Sequence, residues 1–240
     1  MASSVLLSEN FDLLYWITQL VGISSITMTG YWILMYRSGV AWSSQPDIQF
    51  NWHSLLMTIG LIYLYGNSIL VYRGFRSIRK QSLKLTHAAI HALALVCAAI
   101  AQVAVYESKD NMTPPKPHMF TLHSWLGMAA MVLFGVQYLV GFVVYLFPGV
   151  RASWRSTLMP GHIFCGVLGF VLAIIAALGG FLEKAIFKIP NYASLPPEAV
   201  LVNLIGMVIT IYGVLVVYLV TKPEYKRKAL PEDMKPRNDD

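Results

Sequence analysis

The sequence predicts an all-α, polytopic membrane protein of six transmembrane helices, and two observations carry that prediction. Of the 240 residues, 56% are hydrophobic and only 12% charged, whereas a soluble domain carries about 25% charged residues. Charge this sparse cannot coat a soluble surface of this size. The apolar residues also fall into six stretches long enough to cross a hydrocarbon core of about 30 Å, at about 13–36, 52–72, 85–106, 119–147, 160–181 and 199–221. Each stretch lacks Asp, Glu, Lys and Arg, so every fully charged residue lies in a tail or a connection. Short connections make neighbouring helices antiparallel, and residues 1–240 read as one domain.

The first span follows a polar start without a basic n-region, so it is expected to act as an uncleaved anchor rather than a signal peptide. Just before it, Glu9-Asn10-Phe11-Asp12-Leu13-Leu14 has the form of an acidic dileucine sorting signal. Spans 2 to 5 each open on a histidine, in Asn51-Trp52-His53, Lys84-Leu85-Thr86-His87, Leu122-His123-Ser124-Trp125 and Met159-Pro160-Gly161-His162. Spans 1 and 6 have none and are expected to flank a four-helix core. Residues 222–240 form a basic tail.

Orientation follows from the cations. Arg73, Arg76, Arg79, Lys80, Lys84, Arg151, Arg155 and the tail's Lys222, Lys226, Arg227, Lys228, Lys235 and Arg237 share one side; only Arg37, Lys109, Lys116, Lys184 and Lys188 lie on the other. The excess places both termini in the cytoplasm. Because these residues flank helices rather than forming one patch, a nucleic-acid partner is not expected. The sequon Asn111-Met112-Thr113 falls in the predicted outer 3–4 loop. Cys97 and Cys165 lie inside spans and imply no disulfide framework.

Ionisable groups within spans are costly and usually functional. His53 and His123 lie about one turn below the outer surface, and His87 and His162 about one turn below the inner one. At 1.5 Å per residue the two levels stand roughly 20 Å apart. Two imidazoles facing each other across a helix bundle suit the two axial positions of a haem iron. Zinc or di-iron would want three or four ligands at one level, with carboxylate or thiolate help. The expected cofactor content is therefore two haems per chain, one for each histidine pair. Gly127 and Gly166, each four residues after a histidine, either let a flat macrocycle approach the backbone or let helices pack closely. His91, four residues after His87 on the same face, is either the alternative inner ligand or a residue at a haem edge; the depth of His87 mirrors that of His162 and favours His87. His118 lies in the outer loop.

These residues resemble the eukaryotic cytochrome b561 family. The likeness rests on Phe50-Asn51-Trp52-His53, Val71-Tyr72-Arg73, Lys84-Leu85-Thr86-His87, Leu122-His123-Ser124-Trp125-Leu126-Gly127 and Arg155-Ser156-Thr157-Leu158-Met159-Pro160-Gly161-His162, and it covers essentially all of spans 2 to 5. The resemblance implies two b-type haems, ligated by His53 with His123 and by His87 with His162. It implies electron transfer from cytoplasmic ascorbate to monodehydroascorbate or ferric iron on the other side, in a homodimer of an endomembrane or the plasma membrane. It puts Lys80, Lys84 and Arg155 at an inner ascorbate site and Arg73 near a haem propionate. Cations flanking the inner helix starts also concentrate an anionic donor on elementary grounds. Where the family often has an outer-loop histidine, this chain has Lys109, and Phe120 stands where a tyrosine is common. Lys109 and His118 are the candidates for the outer substrate. Two other classes remain as alternatives. One is a proton-coupled transporter using intramembrane histidines, which favours broken helices and a midplane carboxylate; the other is a non-catalytic haem sensor.

Overall fold

Six long helices account for the fold of the computed structural model, which describes residues 2–147 and 150–233, with side chains from residue 10 onward, Glu232 excepted. They are α1 (Ala2–Tyr36), α2 (Pro46–Gly74), α3 (Lys80–Asp110), α4 (Leu122–Leu146), α5 (Ala152–Lys188) and α6 (Pro197–Thr221). Among the described residues, α2 to α6 are long and apolar enough to cross a membrane by length and composition. Helix α1 carries several hydroxyl side chains along its length. Its hydroxyls are satisfied within the helix, as Thr18 Oγ1 donates to the Leu14 carbonyl at 2.7 Å, Ser25 to Gly22 at 2.7 Å and Thr29 to Ser25 at 2.8 Å. Such back-bonding lets a hydroxyl-bearing helix lie in an apolar setting without orphaned donors.

Large apolar side chains cover the outside of the bundle, among them Trp16, Leu139, Phe164, Phe187 and Val214. A soluble protein does not leave so much apolar surface in contiguous bands; here the solvent is lipid. Inside, Trp32, Tyr65, Phe134, Phe170 and Tyr212 fill the core.

Helix α1 runs beside α6, α2 beside α3 and α4 beside α5, with α5 also meeting α6. The α1–α2, α3–α4 and α5–α6 connections gather at one end, which carries His53. The α2–α3 and α4–α5 connections and the tail gather at the other, which carries His87. At the His53 end, Arg37, just beyond α1, pairs with Glu198 of α6, and Trp32 Nε1 donates to the same carboxylate at 2.8 Å. At the His87 end, Arg73 donates to the carbonyls of Val220 at 2.5 Å and Lys222 at 3.0 Å, closing the C-terminus of α6.

The helices outrun the expected spans at several ends, as α1 starts at Ala2, α2 at Pro46 and α3 at Lys80, and two further starts differ for local reasons. Helix α4 begins at Leu122 rather than 119, because Thr121 caps it by accepting from the Ser124 N–H at 3.3 Å. Helix α5 begins at Ala152 and runs to Lys188, with Pro160 inside it rather than at its start. The backbone bond that Pro160 forgoes lies on an exposed stretch of the helix, where its loss is tolerated. Helices α2 and α4 also contain π-helical segments, Thr58–Leu64 and Phe142–Leu146. Of the basic tail, residues 222–233 are described; Lys235 and Arg237 lie outside the described residues, as does the Glu9 side chain of the dileucine sequence.

Candidate functional site

The four span-opening histidines come together as two pairs, and the pairs have a shared construction. His53 of α2 faces His123 of α4 with ring centroids 6.2 Å apart; His87 of α3 faces His162 of α5 with centroids 6.4 Å apart. Each pair thus joins the α2–α3 hairpin to the α4–α5 hairpin. Within each hairpin, every histidine is tied to the sister helix through Nδ1. His53 bonds the Ala101 carbonyl of α3 at 3.3 Å, and His87 the Ser68 carbonyl of α2 at 2.9 Å. His123 bonds the Ala176 carbonyl of α5 at 2.6 Å, and His162 the Gln137 side-chain oxygen of α4 at 3.1 Å.

Those acceptors fix the tautomer. A carbonyl oxygen has no proton to give, so Nδ1 carries the hydrogen in all four rings and Nε2 keeps its lone pair. Imidazoles oriented this way by a second hydrogen bond are the usual form of metal-ligating histidine. The spacing fits too. A metal–nitrogen bond of about 2.0 Å plus about 1.1 Å from nitrogen to ring centre, taken on both sides, puts two imidazoles on one iron about 6.2 Å apart. The residues present therefore fit a haem iron at each end.

Helix α2 supplies His53 to one pair and Ser68 to the other. The two pairs therefore stand at two depths of the bundle, separated along α2 by the π-helical segment Thr58–Leu64. Between them sits an aromatic block. Tyr65 donates to the Gly166 carbonyl at 2.9 Å, and its ring lies 4.7 Å from Phe134 and 5.6 Å from Phe170. His91 adjoins this block, 5.1 Å from Tyr65 and 4.5 Å from His87 between ring centroids. It is buried, and its Nδ1 has no hydrogen-bond partner.

Two glycines make room for the rings. A Cβ on Gly180 of α5 would stand 2.7 Å from His123 Cε1, and one on Gly141 of α4 would stand 3.1 Å from His162 Cε1. Gly127 and Gly166, singled out by their spacing, behave otherwise: a Cβ on Gly127 meets Ala176 only at 3.9 Å, and one on Gly166 meets nothing within 4 Å.

A cavity of about 560 Å³ opens at the His53 end. His53, His123, Gly127 and Gly180 lie on its walls, and toward the mouth stand Lys109, His118, Glu183, Lys184 and Lys188. The two sequence-predicted outer residues are both present and both engaged. Lys109 donates to the Pro117 carbonyl at 3.1 Å and lies 5.4 Å from the Phe120 ring centre. His118 meets Asp110 at 2.7 Å and stacks on Tyr106.

At the opposite end, Lys84 donates to the Tyr145 carbonyl at 3.2 Å, and the Tyr145 ring lies 5.1 Å from that of His162. Arg155 stands in the first turn of α5, its backbone N–H bonded to the Arg151 carbonyl. The Lys80 backbone N–H donates to Asp233 at 3.2 Å. That carboxylate also accepts from Arg227 at 2.6 Å and from the Leu230 N–H at 2.8 Å. The bond from Arg227, then that from Leu230, holds the Asp233 carboxyl down at about 2. Arg227 donates further to the Ile78 carbonyl, so the tail is fastened across the α2–α3 connection. Arg73, expected near a propionate, uses two of its donors on α6.

The residues that sequence reasoning passes over here are Ser68, Gln137, Gly141, Gly180 and Lys184. Gln137 and Ser68 carry a usable signal, a polar group inside an apolar span. The glycines carry none, because the ring each accommodates belongs to another helix.

The human transmembrane ascorbate-dependent reductase CYB561 is 42% identical over 217 residues, covering 90% of this chain and 85% of the relative. The mouse protein of that name is 39% identical over 219 residues, with coverages of 90% and 85%. The plasma membrane ascorbate-dependent reductase CYBRD1 of Xenopus tropicalis is 38% identical over 212 residues, with coverages of 87% and 74%. Residues 52–188, which hold all four paired histidines, match the family described as eukaryotic cytochrome b561. With both histidine pairs inside the matched segment, the chain belongs to the eukaryotic cytochrome b561 family and is an integral membrane oxidoreductase that binds haem b.

Proposed function

We propose that the chain moves electrons across the membrane, from ascorbate at the His87 end to monodehydroascorbate or ferric iron at the His53 end. The observation that carries this reading is the pair of facing imidazole couples, each at iron-ligating distance and each with Nδ1 tied to an oxygen acceptor. The names of the relatives, ascorbate-dependent reductases, supply the donor. The excess of cations at the His87 end supports a cytoplasmic location for that end and for both termini.

When bound, two haem b per chain supply reversible one-electron chemistry at two depths. His53 and His123 would hold one iron, and His87 and His162 the other. Lys80, Lys84 and Arg155 gather the ascorbate monoanion at the cytoplasmic mouth. Ascorbate leaves as monodehydroascorbate after losing one electron and one proton, and the proton returns to the cytoplasm. At the other end, monodehydroascorbate takes up one electron and one proton, or ferric iron takes one electron and becomes ferrous. Lys109 and His118 line the mouth where that acceptor docks. His91 and Arg73 are periphery residues; a guanidinium has five N–H groups, so Arg73 keeps donors for a carboxylate beyond the two it gives to α6. The assembly is a homodimer of an endomembrane or the plasma membrane.

The test is a visible absorption spectrum of the purified protein, with haem quantified, before and after addition of ascorbate. Two haems per chain, reduced by ascorbate to a sharp b-type α-band, are expected. A folded preparation that takes up no supplied haem, or whose haem ascorbate leaves oxidised, would sink the reading.

A further inference from the structure

Among the cations at the mouth of the 560 Å³ cavity, Lys184 differs from its neighbours. Lys188 pairs with Asp47 at 3.3 Å, Lys109 is bonded to the Pro117 carbonyl, and His118 is bonded to Asp110. Lys116 is exposed. Lys184 is half-buried and, among the described residues, makes neither an ion pair nor a hydrogen bond. Glu183 lines the same cavity but forms no ion pair with it. The Lys184 ammonium lies over the Phe50 ring, 3.7 Å from its centre.

The position is defined at both ends of the side chain. Lys184 lies four residues, one helical turn of about 5.4 Å, beyond Gly180 on the same face of α5, and Gly180 is the residue that seats the His123 ring. Phe50, under the ammonium, lies 5.8 Å from the His53 ring. The cation therefore stands one turn above the gap between His53 and His123, held toward it by an aromatic face. A sheltered ammonium that no carboxylate hydrogen-bonds, with the Lys188 and Arg37 cations and the more distant Asp47 carboxylate in its field, stands beside an open volume as half of a charge-assisted hydrogen bond.

We propose that Lys184 is the anion-binding cation of this cavity, pairing with a carboxylate or enediolate oxygen presented above the His53–His123 gap. Resting on the function proposed above, the inference adds a residue that the outer site would otherwise lack. Two sources share this chemistry: a propionate of a haem held by that pair, and a small anionic electron acceptor at the mouth.

The experiment compares wild type with K184M, which keeps an apolar stem against Phe50, and K184R, which keeps the charge. Haem is quantified, the two midpoint potentials are titrated without acceptor, and reoxidation of ascorbate-reduced protein is timed with ferricyanide, an anion, and with hexaammineruthenium(III), a cation. If the partner is a propionate, K184M lowers one midpoint potential or sheds one haem, and K184R restores it. If the partner is the acceptor, both potentials hold, ferricyanide reacts about tenfold more slowly with K184M, and hexaammineruthenium does not. Two haems, unchanged potentials and equal rates with both acceptors overturn the inference while leaving the proposed function standing. A folded wild type that holds no haem overturns both.

Discussion

Gln137 and His162 hold each other twice. The His162 Nδ1–H donates to the Gln137 side-chain oxygen at 3.1 Å, and the Gln137 amide nitrogen donates to the His162 carbonyl at 2.9 Å. The first bond sets the tautomer of the ring, and the second locks the α5 backbone beneath it. The Q137L variant keeps the volume and loses both bonds. Outer partners of this kind typically contribute 10–100-fold in metal affinity, so the haem at the His87 end is expected to dissociate about tenfold more readily or more. Transfer of haem to apomyoglobin measures this directly, and an unchanged release rate would reject the role.

The two pairs should be separable. H53A or H123A is expected to leave one haem per chain with a single midpoint potential, and H87A or H162A the complementary one. Pyridine haemochrome assay and redox titration distinguish them. Loss of both haems from every single variant would show instead that the two levels form as one cooperative unit.

Gly180 seats the imidazole of His123, and a methyl group there would come within 2.7 Å of Cε1 and 3.0 Å of Nδ1. G180A is expected to displace the ring, break its 2.6 Å bond to the Ala176 carbonyl and cost about 1–3 kcal/mol by overpacking. By contrast G166A, with open space around the new methyl, should leave the absorption spectrum and melting temperature as in wild type. Equal effects of the two substitutions would refute the seating argument.

Arg73 offers a choice between stability and redox tuning. Its bonds to Val220 and Lys222 close α6, and hydrogen bonds to charged groups contribute about 1.5–3 kcal/mol. R73Q is expected to lower the melting temperature by several degrees. A shift in the midpoint potential of the His87–His162 centre, seen beside that loss, would establish the propionate contact as well.

Asp233 gives the tail a pH dependence with a definite sign. Its carboxyl is held at about 2, below its ordinary value, by Arg227 and the Leu230 N–H. A depressed carboxyl stabilises the docked tail fully above about pH 4, and that contribution is lost as pH falls toward 2. Hydrogen exchange of the Lys226–Leu230 amides should therefore be slow at pH 7 and accelerate, beyond its intrinsic pH dependence, only in that acid window. D233N should show the fast behaviour already at neutral pH. Exchange that is equally fast in both proteins at pH 7 would mean that the tail is not fastened by this carboxylate.

The six helices and both histidine pairs are legible in the sequence because the bilayer makes ionisable residues scarce, so His53, His87, His123 and His162 stand out at matched depths. What supports those rings is not legible. The acceptors for His53 and His123 are the backbone carbonyls of Ala101 and Ala176, which any residue would supply. Spacing along one helix singles out Gly127 and Gly166, whereas the rings lean across the α4–α5 interface onto Gly180 and Gly141. Register inside a helix is readable at 3.6 residues per turn; register between helices is set by packing. The π segments in α2 and α4 leave no mark in composition for the same reason, and Pro160 reads as a helix start because its tolerance depends on an exposed neighbouring carbonyl.

The block formed by Tyr65, Phe134 and Phe170 has an electrical consequence. It closes the bundle between the two levels with interlocked aromatic rings, and the Tyr65 hydroxyl is already occupied by the Gly166 carbonyl. A column so filled disfavours a chain of water along which a proton could accompany the electron. Each turnover of the proposed cycle then transports one uncompensated negative charge, and a membrane voltage biases it by about 2.3 kcal/mol per 100 mV for a full crossing. Ascorbate-loaded liposomes bearing the protein should thus polarise when given an external acceptor, and their rate should rise when valinomycin and potassium short-circuit the membrane.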